Sequence, residues 1–246
     1  GRRADGGDAR LVTIYQLELD GSEGAVPALL GARTVSHNLP EPTSAFVGRL
    51  EELSQVRALV RDRRLVTLTG TGGVGKTRLA IEVGRQELHA HPGGTLLVRL
   101  DHVASAEGAV AALADSIPLG DGVDRSSVDA VAASLPEELT LLLLDSCEHL
   151  LEPVARMAAR LLEVRPRLHI LATSREAMGL DGEAVRCVLP LRVPESGSAA
   201  DVAAAAETDA IQLFVDRARC VEPRFDLTRE NAGLVADLCR RLDGLP

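Results

Sequence analysis

Eight consecutive residues, Gly70, Thr71, Gly72, Gly73, Val74, Gly75, Lys76 and Thr77, satisfy the pattern G-x-x-x-x-G-K-[ST] in full. The chemistry this pattern serves is phosphate binding. Glycines carry no Cβ, so successive backbone N–H groups can turn inward around phosphate oxygens. A helix starting near Lys76 would point the positive end of its dipole at the same anion. The Lys76 ammonium suits the β and γ phosphates of ATP or ADP, and the Thr77 hydroxyl suits Mg²⁺. Arg78, next in the same helix, completes the expected cofactor-binding set. Composition adds weight: of 27 basic residues a single one is lysine, and it is Lys76. A compact ammonium fits between phosphates where a planar guanidinium does not.

A second group of residues could complete the site. Residues 141–145, four leucines and Asp145, read as an apolar strand ending in a carboxylate, as a Walker B strand does. At the C-terminal end of a parallel strand Asp145 would face the ligand crevice and hold Mg²⁺. The simpler alternative is an aspartate that caps the following helix. Many hydrolysing phosphate-loop proteins place a second acid directly after that aspartate; here the position is Ser146, and the next carboxylate is Glu148. Glu148 has two readings, a group that polarises the attacking water or an ordinary acid in the first turn of the next helix. Arg175 follows an apolar run at 168–173, where it would sense the γ phosphate, or else be a plain surface arginine.

The elements that must position these residues follow from periodicity. Residues 65–69, 95–100, 139–145, 168–173 and 184–189 read as strands. Between them, 51–60, 76–90, 104–117, 126–134 and 150–162 read as helices. That alternation predicts an α/β fold, a parallel P-loop NTPase sheet flanked by helices. After Pro194 the strand signals stop. Ile211, Phe214, Val215 and Ala218 mark one amphipathic helix, and Leu234, Val235, Leu238 and Leu242 a second. The expected division is therefore a preceding tail or linker at 1–37, a nucleotide-binding domain at 38–194, and the start of a truncated helical domain at 195–246. Within the first part, residues 11–19 read as one strand.

Bulk properties narrow the function. The formal net charge of −9 argues against a DNA-binding surface on this chain, which places DNA contact in domains outside it. No apolar run of about 18 residues is present, so no membrane span and no signal peptide is expected, and a cytoplasmic site follows. Aromatic residues make up 2%, so the core must be aliphatic. Cys147, Cys187, Cys220 and Cys239 lack metal or redox spacing and are expected as buried free thiols. His89 and His91 form a poor metal pattern, with a structural or solvent role expected. The chain starts at Gly1 and stops at Pro246, which reads as a piece of a longer protein.

With these residues in hand, the chain resembles the STAND class of signal-transduction ATPases, the NB-ARC-like group, over residues 38–246. The resemblance rests on Asn38, Leu39 and Pro40 with Phe46, Val47, Gly48 and Arg49, and on the phosphate loop. It rests also on the run from Leu141 to His149, on Leu-Ala-Thr-Ser-Arg-Glu ending at Glu176, and on Cys-Arg-Arg-Leu-Asp-Gly-Leu-Pro ending at Pro246. The resemblance implies that Val47, Gly48 and Arg49 line the adenine and ribose side, and that Pro246 packs on the adenine. Leu50 stands where the family usually has a glutamate, which removes any role for an acid there. It further implies a switch, with ADP holding a closed state and ATP exchange opening it for self-association. The function expected is thus an ATP/ADP switch in a multidomain bacterial signalling protein of the transcriptional-regulator type, with slow or regulated hydrolysis. The alternative is an ATPase enzyme module attached to an adenylate or guanylate cyclase-type chain, since residues 13–17 resemble the closing strand of such a domain.

Overall fold

The computed structural model describes residues 36–120, 122–194 and 202–246; the strand expected at 11–19 and its cyclase-like resemblance lie outside them. Five strands form one sheet in the order β2-β3-β4-β1-β5: β1 Leu65–Thr69, β2 Gly94–Arg99, β3 Thr140–Asp145, β4 Leu168–Thr173 and β5 Ala184–Cys187. Every pairing is parallel. The α/β sheet expected from the alternating pattern is therefore the one found.

The near-continuous burial of β1 to β4 follows from helices on both faces. In a strand successive side chains point to opposite faces. Leu142 and Leu144 of β3 join the core built by α3 (Ala106–Asp115), α4 (Val128–Ala133) and α5 (Leu151–Val164). Leu141 and Leu143 join the opposite core, under α1 (Leu50–Asp62) and α2 (Lys76–Gln86). The same alternation runs through β2, with Leu97 on the α1/α2 face, and β4, with Leu171 there. Continued by two residues, it places Arg99, Asp145 and Thr173 on the face where α2 begins. The strand pleat thus delivers the site residues before any specific contact is considered.

The motif Asn38-Leu39-Pro40 has a backbone task. Asn38 pairs with the outer edge of β2, its Nδ2 donating to Leu97 O at 2.9 Å and its Oδ1 accepting from Leu97 N at 2.6 Å. Thr95 N donates to Ser36 O at 3.0 Å, and Leu39 is buried among α1/α2 core residues. An edge strand that would otherwise show free N–H and C=O groups is covered.

Beyond β5, helices α6 (Val202–Ala206), α7 (Asp209–Val221) and α8 (Ala232–Arg241) share a third cluster of buried residues with Leu191. α8 turns a different face inward from the one its leucines suggest. Ala232, Val235, Ala236 and Cys239 are buried, whereas Leu234, Leu238 and Leu242 are exposed. Small alanine side chains let the helix approach closely, and that side wins the packing. The thiols also divide: Cys147 and Cys239 are buried as expected, but Cys187, on the edge strand β5, and Cys220, on an outer face of α7, are exposed.

The helix expected at 76–90 ends sooner, at Gln86, followed by a 3-10 turn at Leu88–Ala90. Glu87 turns inward and is fully buried, its two oxygens each 2.7 Å from the Nε of Arg57 and of Arg61 on α1. His91 lies just beyond, 1% exposed, its Nδ1 3.0 Å from Glu87 O and its ring edge-on to His169. Its Nε2 has no hydrogen-bond partner. Burial above all, with His169 and Arg61 adding to it, holds the His91 pKa below its ordinary 6.5, although Glu87 opposes the shift. The folded chain therefore binds this proton less readily than the unfolded chain. Stability contributed by neutral His91 is complete above about pH 6.5 and is lost as pH falls below it. Melting curves at pH 7.5 and 5.5 should show a lower Tm at the acidic value. His91→Asn, which keeps a donor for Glu87 O, should shrink that difference.

Candidate functional site

β1 ends at Thr69 and the loop begins at once with Gly70, whose φ is +143° and whose added Cβ would lie 2.6 Å from Val188 O. Only glycine allows that approach of two backbones. Val74 anchors the loop by burying its side chain in the α1/α2 core. Gly75, at φ +97°, then turns the chain into α2. Two other N-termini offer a contrast. Ser105 caps α3 and Ser127 caps α4, each with an acid in the first turn. α2 has neither a side-chain cap nor a first-turn acid. Its first N–H groups are left for an external acceptor, as an anion site requires.

Lys76 is buried and donates from Nζ to Gly70 O at 2.8 Å and Thr71 O at 2.9 Å, so the loop's own carbonyls satisfy it. Burial lowers its pKa below the ordinary lysine value; Glu148 and Asp145 oppose this, and Arg175 adds to it. A desolvated ammonium of this kind gains from a nearby anion.

Asp145 is buried at the end of β3, and its Oδ1 accepts from Thr77 Oγ1 at 2.6 Å and from Thr173 Oγ1 at 2.7 Å. Thr173 closes β4, the strand between β1 and β3, and its hydroxyl also accepts from Ser146 N at 2.9 Å. The carboxylate thus ties the phosphate-loop helix to the sheet and does not cap a helix. Ser146 itself adopts φ +65°, an uncommon conformation for a non-glycine residue. Glu148 sits in a 3-10 turn, Cys147–His149, ahead of α5. Its Oε1 is 3.8 Å from Arg175 Nε, and its Oε2 is buried without a hydrogen-bond partner. The Arg175 side chain is itself 68% exposed.

A cavity of about 1070 Å³ opens over Gly72, Gly73, Lys76 and Thr77, with Ser146, Glu148, Thr173 and Arg99 on its far side. A smaller one of about 420 Å³ is lined by Val47, Arg49, Leu191, Leu213, Arg217 and Pro246. Phe46, Gly75 and Arg78 border both. Pro246 meets the phosphate loop closely: its Cγ lies 3.5 Å from where a Cβ on Gly75 would be. The cavities together are large enough to hold a nucleotide. Two expected residues are held by structural partners. Arg49 is buried, donating from Nη2 to Val74 O at 2.8 Å and pairing with Glu52, while Gly48 abuts the Asp209 side chain. Arg78 Nη2 donates to Ser44 O and Ala45 O, clamping the segment before α1 along the larger cavity.

Thr77 and Asp145 supply hard oxygen donors, the ligand type that Mg²⁺ takes. Among the described residues no group of three or more His, Cys, Asp or Glu side chains is placed to hold a metal ion. Those two residues would hold a cation here. The residues present fit a Mg²⁺–nucleotide in both shape and donor chemistry. Thr173 is the contact that motif reading passes over. The alternation of β4, carried past Leu171, would have placed it beside Asp145.

No family model matches the chain. An uncharacterised protein of Mycobacterium tuberculosis is 39% identical over 213 residues, covering 87% of this chain and 51% of that protein. Another M. tuberculosis protein, provisionally named an HTH-type transcriptional regulator, is 42% identical over 192 residues, covering 78% of this chain and 20% of its own length. A nucleotide-binding leucine-rich repeat-like protein of Hyaloscypha variabilis is 32% identical over 136 residues, 50% of this chain and 14% of that one. The chain thus spans about half the length of the first of these relatives and a fifth of the second. Among solved structures, a Walker-type ATPase of Pyrococcus abyssi superposes with a TM-score of 0.51 at 15% identity, covering 85% of this chain and 67% of that one. No helix among the described residues is long and apolar enough to cross a membrane. The chain has the P-loop NTPase fold, a parallel sheet flanked by helices with the phosphate-loop motif between β1 and α2.

Proposed function

We propose that the chain is the ATP/ADP switch of a longer signalling protein, in which residues 38–194 bind the nucleotide and residues 195–246 begin a helical domain that responds to it. The observation that carries this reading is the Asp145 carboxylate, joined at once to Thr77 of the phosphate-loop helix and to Thr173 of β4. The two halves of a nucleotide site are thereby brought to one point.

On binding, Lys76 exchanges its carbonyl partners Gly70 O and Thr71 O for phosphate oxygens, a stronger charge-assisted pairing. The N–H groups from Gly72 to Thr77 and the start of α2 surround the same phosphates. Thr77 and Asp145 would hold Mg²⁺, which would neutralise phosphate charge when bound. Val47 and Pro246 enclose the adenine and ribose, while Arg49 fixes the loop through Val74 O. Glu148, with one oxygen free of partners, is the residue placed to orient water, and Arg175 stands next to it at the γ-phosphate end.

Regulation, rather than steady turnover, is supported by Ser146. The residue after Asp145 has no carboxylate, and its backbone N–H is committed to Thr173. A nucleotide then acts by favouring one arrangement of the sheet and the helices that follow it. Self-association in the ATP state, a transcriptional output through a separate DNA-binding domain, and a cytoplasmic location complete the proposal. The relative provisionally named an HTH-type regulator supports it, at 42% identity.

Lys76→Ala should leave the fold intact and raise the Kd for ADP about a hundredfold, as expected from losing a charge-assisted contact of about 3 kcal/mol. Unchanged affinity by calorimetry would remove the phosphate-loop assignment. Asp145→Asn should weaken Mg²⁺-ATP more than ADP measured without Mg²⁺, and equal losses would argue against a metal role. Mass spectrometry of the purified chain should find ADP retained. An empty site that turns over ATP freely would favour the enzyme reading, with Glu148 as its base.

A further inference from the structure

Three guanidinium groups border the smaller cavity, those of Arg49, Arg78 and Arg217. Two are committed to the protein frame. Arg49 donates to Val74 O and pairs with Glu52. Arg78 donates to Ser44 O and Ala45 O. Arg217 differs. Its ion pair is with its chain neighbour Asp216, at 3.4 Å, and the two side chains are 41% and 32% exposed. The pair carries no hydrogen bond, Asp216 Oδ2 being buried without one, so this guanidinium is less committed than the other two.

Its position is set by the packing of α7. Leu213 and Arg217 are four residues apart, so they share one helical face, and both line the cavity. The N-terminal turn of α7 is docked against the loop before α1. A Cβ on Gly48 would lie 2.8 Å from Asp209 Oδ1, and Ala210 N donates to Arg192 O at 3.2 Å. The cavity's walls are otherwise largely apolar, with Phe46, Val47, Leu191, Leu213 and Pro246. Apolar walls with one less committed planar cation suit a purine nucleoside. The flat base fills the apolar space, and the guanidinium donates to a base or ribose acceptor or stacks on the ring.

We propose that Arg217 contacts the nucleoside half of the bound nucleotide, which makes α7 part of the nucleotide site. The proposal rests on the phosphate-loop reading above and adds to it a residue from the helical segment. Because the smaller cavity reaches the phosphate loop only at Gly75, Arg217 reads the base and ribose and not the γ phosphate. The nucleotide then bridges the sheet and α7 through a single side chain, and its occupancy bears directly on how α7 is held.

The test is calorimetry on the chain with ADP, ATP and inorganic pyrophosphate. Arg217→Ala should raise the Kd for ADP and for ATP by a similar factor, about tenfold, and leave pyrophosphate affinity unchanged. Arg217→Gln, which keeps the stem and a donor, should fall between it and the parent chain, with the melting temperature of the nucleotide-free protein unaltered in both. An unchanged ADP affinity in either variant would overturn the proposal. So would a loss confined to ATP, which would put the contact on the γ phosphate, or an equal loss for pyrophosphate, which would make the effect one of general charge or folding. Lys76→Ala separates the two levels. If it leaves ADP affinity intact, the phosphate-loop reading itself fails. If it weakens ADP and Arg217→Ala does not, only the role of Arg217 fails.

Discussion

Alternation of side chains along buried parallel strands is the constraint on which the rest of this structure depends. Each strand of the sheet must satisfy two cores at once, so its residues are assigned to a face by parity alone. Leu141 and Leu143 belong to the α1/α2 core, and Asp145 follows on the same side. Leu171 likewise leads to Thr173. Because β4 lies between β1 and β3, the hydroxyl of Thr173 stands beside the carboxylate of Asp145, and the start of α2 brings Thr77 to the same oxygen. A shift of one residue in any strand would send these groups into the opposite, wholly apolar core. Hydrophobic packing therefore fixes the position of the polar site more firmly than the polar contacts do themselves.

What the sequence makes legible is what depends on local pattern. The phosphate loop, the sheet strands and the helices between them follow from short-range periodicity and a contiguous motif, and their bounds agree with the structure to within a few residues. Less legible are features that depend on distant partners. The early end of α2 follows from Glu87 being drawn to Arg57 and Arg61, which lie 30 and 26 residues away. The inward face of α8 departs from its leucine spacing, because close packing turns Ala232, Val235, Ala236 and Cys239 inward. Cys187 and Cys220 are exposed because burial of a lone cysteine depends on which edge or face its element presents. Arg217 gave no signal at all, since its interest comes from a cavity assembled from five separate segments.

The loop before α1 acquires a different meaning once its contacts are known. In sequence it carries a family resemblance and nothing more. In the structure Asn38 completes the edge of β2, and Arg49 holds the middle of the phosphate loop. Gly48 meanwhile gives α7 its docking surface. One short stretch thus touches the sheet edge, the phosphate loop and the helical segment. Such a stretch is where a change in the loop's hydrogen bonding on nucleotide binding would be felt first by α7.

The division of labour between the two basic residue types follows from the same geometry. Arg49, Arg64 and Arg78 donate to backbone carbonyls of other segments, and Arg64 alone reaches those of Leu162, Arg165 and Leu168. Arg57 and Arg61 together satisfy the buried Glu87. A planar fork with five donors can bridge several acceptors from one position, which suits it to holding a frame. The same rigidity makes it a poor group to change partners inside a tight glycine loop. Lys76, with three donors on a compact head, rests on two carbonyls of its own loop and can turn from them to an incoming phosphate without moving the backbone. A chain that builds its framework from arginine has therefore kept lysine at the one position where the partner must be exchanged.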